Sequence, residues 1–153
     1  MRKFFILSLF TSALMAQTHT AQVVGSNLMW ENSIHSKDIK LNHNEALNYC
    51  KNIKTGTFQD WRLPTLNELL SLVNYNKAEP AIKKEITLIS SKNMYWSTTP
   101  YISNSNTFWG VSYKDGASKK ASSNYDRYVR CVRTTKAKKE APKDAQPKKV
   151  VKG

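Results

Sequence analysis

Cys50 and Cys131 are the two cysteines of the chain, and whether they are joined constrains the fold more than any other feature of the sequence. A bond between them closes a loop of about 80 residues, a constraint worth roughly 4.5 kcal/mol in a chain-entropy treatment. Such bonds persist in oxidising compartments, so the question turns on where the chain matures. It begins Met1-Arg2-Lys3, continues as an apolar run from Phe4, and ends that run at Ala13-Leu14-Met15-Ala16. Charge, short apolar stretch and small residues, in that order, predict a secretory signal peptide cleaved after Ala16. The alternative is a buried N-terminal helix; the run is too short to span a bilayer. Export makes a disulfide the simplest reading of an isolated pair, with two separate thiols as the alternative. Zinc is poorly served, because His19, His35 and His43 show no ligand spacing with either cysteine.

The other end differs sharply in composition. Residues 134–153 hold seven Lys, two acids, two Pro and no aromatic. A segment with so little apolar surface cannot offset its ordering entropy, and it reads as a disordered basic tail. Three segments result: a signal peptide over 1–16, one domain over 17–133 and the tail over 134–153. The domain carries 15 basic against nine acidic residues, net +6, and the tail is +5. Polyanions are therefore natural partners, although Lys-rich surfaces also serve solubility alone. The tail suits weak contact with anionic lipid headgroups. Nucleic acid fits the charge, but export argues against it. The expected location is secreted or periplasmic, including association with the cell surface.

Within the domain, Val23-Val24-Gly25 and Leu28-Met29-Trp30 read as a first strand region. Asn42 and Glu45 form a capping-box pattern that opens a helix to Ile53, with Ala46, Leu47, Cys50 and Ile53 expected on its inner face and Gly56 as the stop. Thr65 and Glu68 repeat the pattern, predicting a second helix over about 65–74 with Leu66, Leu69, Leu70 and Val73 as its apolar stripe. Tyr95–Thr99, Thr107–Tyr113 and Tyr128–Arg133 are β-rich, with Lys114-Asp115-Gly116 as a hairpin turn. Residues 97–107 and 117–124, rich in Ser, Asn and Thr, are expected as loops. A strand, two helices and then strands give an α+β domain, two helices packed on a mainly antiparallel sheet.

Several of these segments carry a further signal. Leu28-Met29-Trp30, Ala46–Cys50, Asp60-Trp61-Arg62-Leu63-Pro64-Thr65, Tyr95-Trp96-Ser97-Thr98, Phe108-Trp109-Gly110-Val111 and Val129-Arg130-Cys131-Val132-Arg133 together resemble the Lcl C-terminal domain family. That is a family of bacterial exported domains named after the terminal domain of a collagen-like adhesin, and the resemblance covers roughly residues 27–133. More widely, the domain is similar to the C-type-lectin-like fold, including its formylglycine-generating-enzyme branch. That similarity implies a last strand returning beside the first, with Cys50 bonded to Cys131. The family resemblance also implies binding of sulfated polysaccharide, but this chain lacks the collagen repeats that give the adhesin its avidity.

The chemistry-bearing residues favour binding over catalysis. The segment between Trp96 and Trp109 holds no Asp or Glu, and Glu79-Pro80 is a poor version of the lectin sugar motif, so a calcium lectin is not expected. His43 and the other histidines lie in polar stretches and read as solvated, and paired cysteines leave no nucleophile. No enzyme activity, cofactor or metal is expected. Trp61, Leu63, Trp96 and Trp109 read as core with Trp30, while Tyr101, Tyr113 and Tyr125 are candidate sugar-stacking residues. Lys114, Lys119, Lys120, Arg127, Arg130 and Arg133 are the expected anion-binding face, with Arg130 and Arg133 on the solvent side of the last strand. The alternative is that Arg62 pairs internally with Asp60 or Glu68 and that the other cations are a solvated sheet face. The first functional expectation is a module for anionic glycan; the rival is an accessory envelope protein docking on a protein partner.

Overall fold

The computed structural model describes residues 20–135 except 24, 25, 35, 56 and 91–93. The expected signal peptide and nearly all of the expected tail lie outside the described residues, as do His19, His35 and the Gly56 stop. In chain order the elements are β1 (Thr20–Gln22), β2 (Leu28–Glu31), β3 (Lys40–Leu41), α1 (His43–Asn52), α2 (Leu66–Leu70), β4 (Met94–Tyr101), β5 (Asn104–Ser112), β6 (Ala117–Ser122), β7 (Arg127–Tyr128) and β8 (Val132–Thr134). They form a three-stranded sheet in the order β1-β2-β8 and a five-stranded sheet in the order β3-β7-β4-β5-β6. Every pairing is antiparallel except β4 with β7. The last strand lies beside β2, with Trp30 opposite Val132. It reaches Thr134, and Thr135 N donates to Asn27 O.

Cys50 and Cys131 are disulfide-bonded, 81 positions apart in sequence, and both are buried. The bond sits in one of two cores. Ala46, Trp61, Leu63, Met94, Trp96 and Val129 surround it. The other core holds Trp30, Leu69, Leu72, Tyr95, Val111, Tyr113 and Val132. Tyr95 faces one core and its neighbours Met94 and Trp96 face the other. Successive side chains of a strand point to opposite faces, so β4 is buried on both.

Both capping boxes form. Asn42 Oδ1 accepts from Glu45 N at 3.0 Å and Glu45 Oε2 accepts from Asn42 N at 3.1 Å. Thr65 and Glu68 make the same reciprocal pair. Helix interiors depart from expectation. The buried stripe of α1 is His43, Ala46 and Cys50, while Leu47 is 38% exposed. The disulfide fixes which face turns inward, and it selects the row through Cys50. Helix α2 stops at Leu70 instead of about 74, because the chain leaves the helix to form an isolated bridge from Val73 to Ile82. Leu72, in the turn, and Val73, in the bridge, are still buried.

The expected loops are strands. Tyr101 closes β4, Asn104 opens β5, and β6 covers Ala117–Ser122. Ladder hydrogen bonds satisfy the backbone whatever the side chains are, and polar side chains fit positions facing water. Gly110 shows how close the packing is: a Cβ there would lie 2.0 Å from Tyr95 O and 2.5 Å from Met94 Cε. A carbonyl in a central strand cannot rotate aside, so Gly110→Ala should cost about 2–3 kcal/mol, read as a lower urea midpoint. An unchanged midpoint would show that β4 and β5 can separate there without loss.

Candidate functional site

The six cations expected to form one anion-binding face are not all free to do so. Arg130 is fully buried (0% exposed). The alternation that placed it outward requires a continuous strand, but β7 ends at Tyr128 and β8 begins at Val132, and residues 129–131 between them are all buried. Its guanidinium donates to Glu31 O and Leu88 O. Arg133 is also occupied: it makes a bidentate pair with Asp60, Nε to Oδ1 at 2.6 Å and Nη2 to Oδ2 at 3.0 Å, and lies over the Phe58 ring. That contact holds the Asp60 carboxyl below its usual range. Lys114 pairs with Glu79 at 3.5 Å and Lys119 with Asp115 at 3.6 Å. Arg62 pairs with Glu68, one of its two expected partners. Arg127 donates to Asp126 O and lies 5.2 Å from the Tyr125 ring.

Lys120, like Arg127, makes no ion pair with an acid among the described residues, and it is exposed. It stands directly opposite Trp109 in the β5–β6 register. Its Nζ lies 3.9 Å from the centroid of the Tyr101 ring. Tyr101 and Trp109 meet edge to face, 5.7 Å apart at 80°. Hydrogen bonding from Ser103 and then Lys120 pulls the Tyr101 hydroxyl below its ordinary pKa. Ser97 Oγ donates to Trp109 O at 2.6 Å, pinning the strand beneath the ring. The result is a patch of two half-buried aromatics and one cation where β5 runs past the core.

Two expectations about aromatics are thereby corrected. Trp109 is half-buried on this patch and is not core, unlike Trp30, Trp61 and Trp96. Tyr113 is not a surface stacker: it is fully buried and its hydroxyl donates to Leu69 O at 2.8 Å. Tyr101 and Tyr125 are accessible, as expected. The sequence offered a hint about Trp109. Thr107 and the Asn/Ser run before it mark the end of β5 that extends beyond the apolar core.

His43 is the other misplaced residue. It was expected in solvent but is 2% exposed. Its ring stacks on Phe108 at 3.5 Å, meets Trp96 edge-on, and places Nε2 3.0 Å from Ser97 O. Burial lowers its pKa from the ordinary 6.5, partly opposed by the Ser97 carbonyl. The folded protein therefore resists protonation while the unfolded chain accepts it, and stability falls as pH drops below about 6.5. His43→Gln should remove that component. Melting followed between about pH 7 and 5 should decline less in the variant than in the parent; parallel declines would refute a neutral buried ring.

Beside α1 lies a shallow cleft of about 530 Å³, edged by Leu47, Lys51 and Arg62 and floored by Trp61 and Leu63. No set of three or more His, Cys, Asp or Glu among the described residues is placed to hold a metal ion. No helix among them is long and apolar enough to cross a membrane. Compared with known protein families, residues 20–133 match the Lcl C-terminal domain. No curated protein matches the chain.

Proposed function

We propose, for a chain that belongs to the Lcl C-terminal domain family, a role as an exported, non-catalytic module that binds anionic glycan. The observation that carries this reading is the Tyr101–Trp109–Lys120 patch. Aromatic faces stack on the apolar faces of sugars, and an ammonium without an acidic partner beside them attracts an acidic substituent. The buried Cys50–Cys131 disulfide supports maturation in an oxidising compartment, periplasmic or extracellular. It also engages both thiols, and His43 is enclosed by Phe108 and Trp96, which favours binding over catalysis. The same reading takes the fold as C-type-lectin-like, supported by β8 returning beside β2 and by the bond joining α1 to the approach to β8.

The test is retention of the full chain on an immobilised anionic polysaccharide. Lys120→Glu and Trp109→Ala should each elute at clearly lower salt than the parent. Lys119→Glu should matter less, because Asp115 already offsets that charge. Neither Lys substitution should change melting much, since exposed charges contribute little to stability. Equal retention of the parent, Lys120→Glu and Trp109→Ala would remove the patch from the reading. The cleft beside α1, with exposed Leu47 at its edge, favours a second reading. In that reading the domain docks on an envelope protein, and substitution of Leu47 by Glu would weaken the docking.

A further inference from the structure

We infer that the patch selects a carboxylate-bearing sugar, a uronate residue, over a sulfated one; this rests on the patch being the glycan site proposed above. Recognition of sulfate esters along a polymer draws on several cations and especially on guanidinium forks, which contact such oxyanions in pairs. Here the arginines are withdrawn from that task. Arg130 is inside the protein, Arg133 is engaged by Asp60, and Arg62 by Glu68. Lys114 and Lys119 each face a carboxylate. Arg127 lies two strands away from β5, on the far side of β4.

What remains on the patch is one ammonium, a compact point charge with no fork geometry. It is directly across the ladder from Trp109, so their Cβ atoms stand about 5 Å apart. A pyranose ring stacked on Trp109 therefore has its edge at Lys120. A uronate carries its carboxylate on the ring carbon itself, at that edge, where a single ammonium meets it without a flexible linker. A sulfate ester hangs on an additional oxygen and gains most when several cations surround it, which this surface does not supply. Lys120 is also restrained: the Tyr101 ring lies under its Nζ at 3.9 Å, which reduces the side-chain entropy lost on pairing.

The experiment is titration of the full chain with a short oligogalacturonate, its fully methyl-esterified form, and a sulfated neutral oligosaccharide of the same length. The acid should bind about tenfold tighter than the ester, the worth of one charged hydrogen bond, and tighter than the sulfated sugar. Lys120→Met should bring acid and ester to the same affinity, while Trp109→Ala should weaken both. Raising the salt should weaken the acid only modestly, in contrast to a polymer held by many contacts. If binding depends on Trp109 but acid and ester are equal, or the sulfated sugar binds tighter, the uronate assignment fails and the patch stands. If no probe's affinity depends on Trp109, the patch itself is wrong and the assignment falls with it.

Discussion

Reducing the Cys50–Cys131 bond, or replacing both cysteines by Ala, should lower the stability of the domain by about 4.5 kcal/mol. The magnitude comes from the 81-residue separation, since release of the crosslink restores entropy to the unfolded chain. A domain of this size holds on the order of 5–15 kcal/mol in total, so the loss takes a large share. The denatured state also expands when the crosslink is absent, so urea unfolding should show a lower midpoint together with a steeper slope. Mass spectrometry of the unreduced protein should find two hydrogens fewer than the thiol form. An unchanged midpoint after reduction would mean that the helix α1 core is held by packing alone.

Arg130→Met should cost about 3–5 kcal/mol, because the buried Glu31 and Leu88 backbone carbonyls lose their charged donor and the buried Glu31 carboxyl loses a nearby positive charge. Arg130 and Glu31 are 0% and 1% exposed. Glu31 Oε1 accepts from Tyr49 at 2.9 Å and from Ser33 at 3.3 Å. Desolvation nevertheless raises the Glu31 pKa above its ordinary 4.5, with Tyr49 and Arg130 opposing the rise. Without Arg130 the carboxyl rises further. A raised carboxyl pKa favours the folded state at low pH, and that benefit is lost as pH increases through the folded value. The deficit of Arg130→Met should therefore be larger at neutral pH than near pH 5. Glu31→Gln added to it should recover part of the loss, a coupling that a double-mutant cycle reads directly. Arg133→Met, which breaks a pair with the exposed Asp60 carboxylate, should cost far less. Equal losses at the two arginines, or no dependence on pH, would overturn this account of the buried guanidinium.

Local rules were legible in the sequence wherever a few neighbouring residues decide the outcome. Asn42 with Glu45 and Thr65 with Glu68 fixed where both helices begin, because a cap is satisfied within four residues of itself. The turn at Lys114-Asp115-Gly116 followed from chemistry equally local: Gly116 adopts φ +76°, which glycine tolerates without strain. The isolated cysteine pair indicated its own bond, and the ordered motifs identified the family.

The tertiary structure alone decided which way the ambiguous side chains face. Arg130 lies in a run that reads as an alternating strand, but a break in the ladder turns three successive residues inward, and no local rule signals that break. His43 stands among Asn residues in sequence yet is enclosed by Phe108 and Trp96 from distant strands. Trp109 and Tyr113 exchanged their expected places because exposure along β5 and the turn after it depends on what the core covers, not on side-chain type. The acidic partners of Lys114 and Arg133 lie 35 and 73 positions away in sequence, at Glu79 and Asp60. Charge pairing at that range is a property of the folded surface, so composition revealed the excess of cations but not which of them are ion-paired.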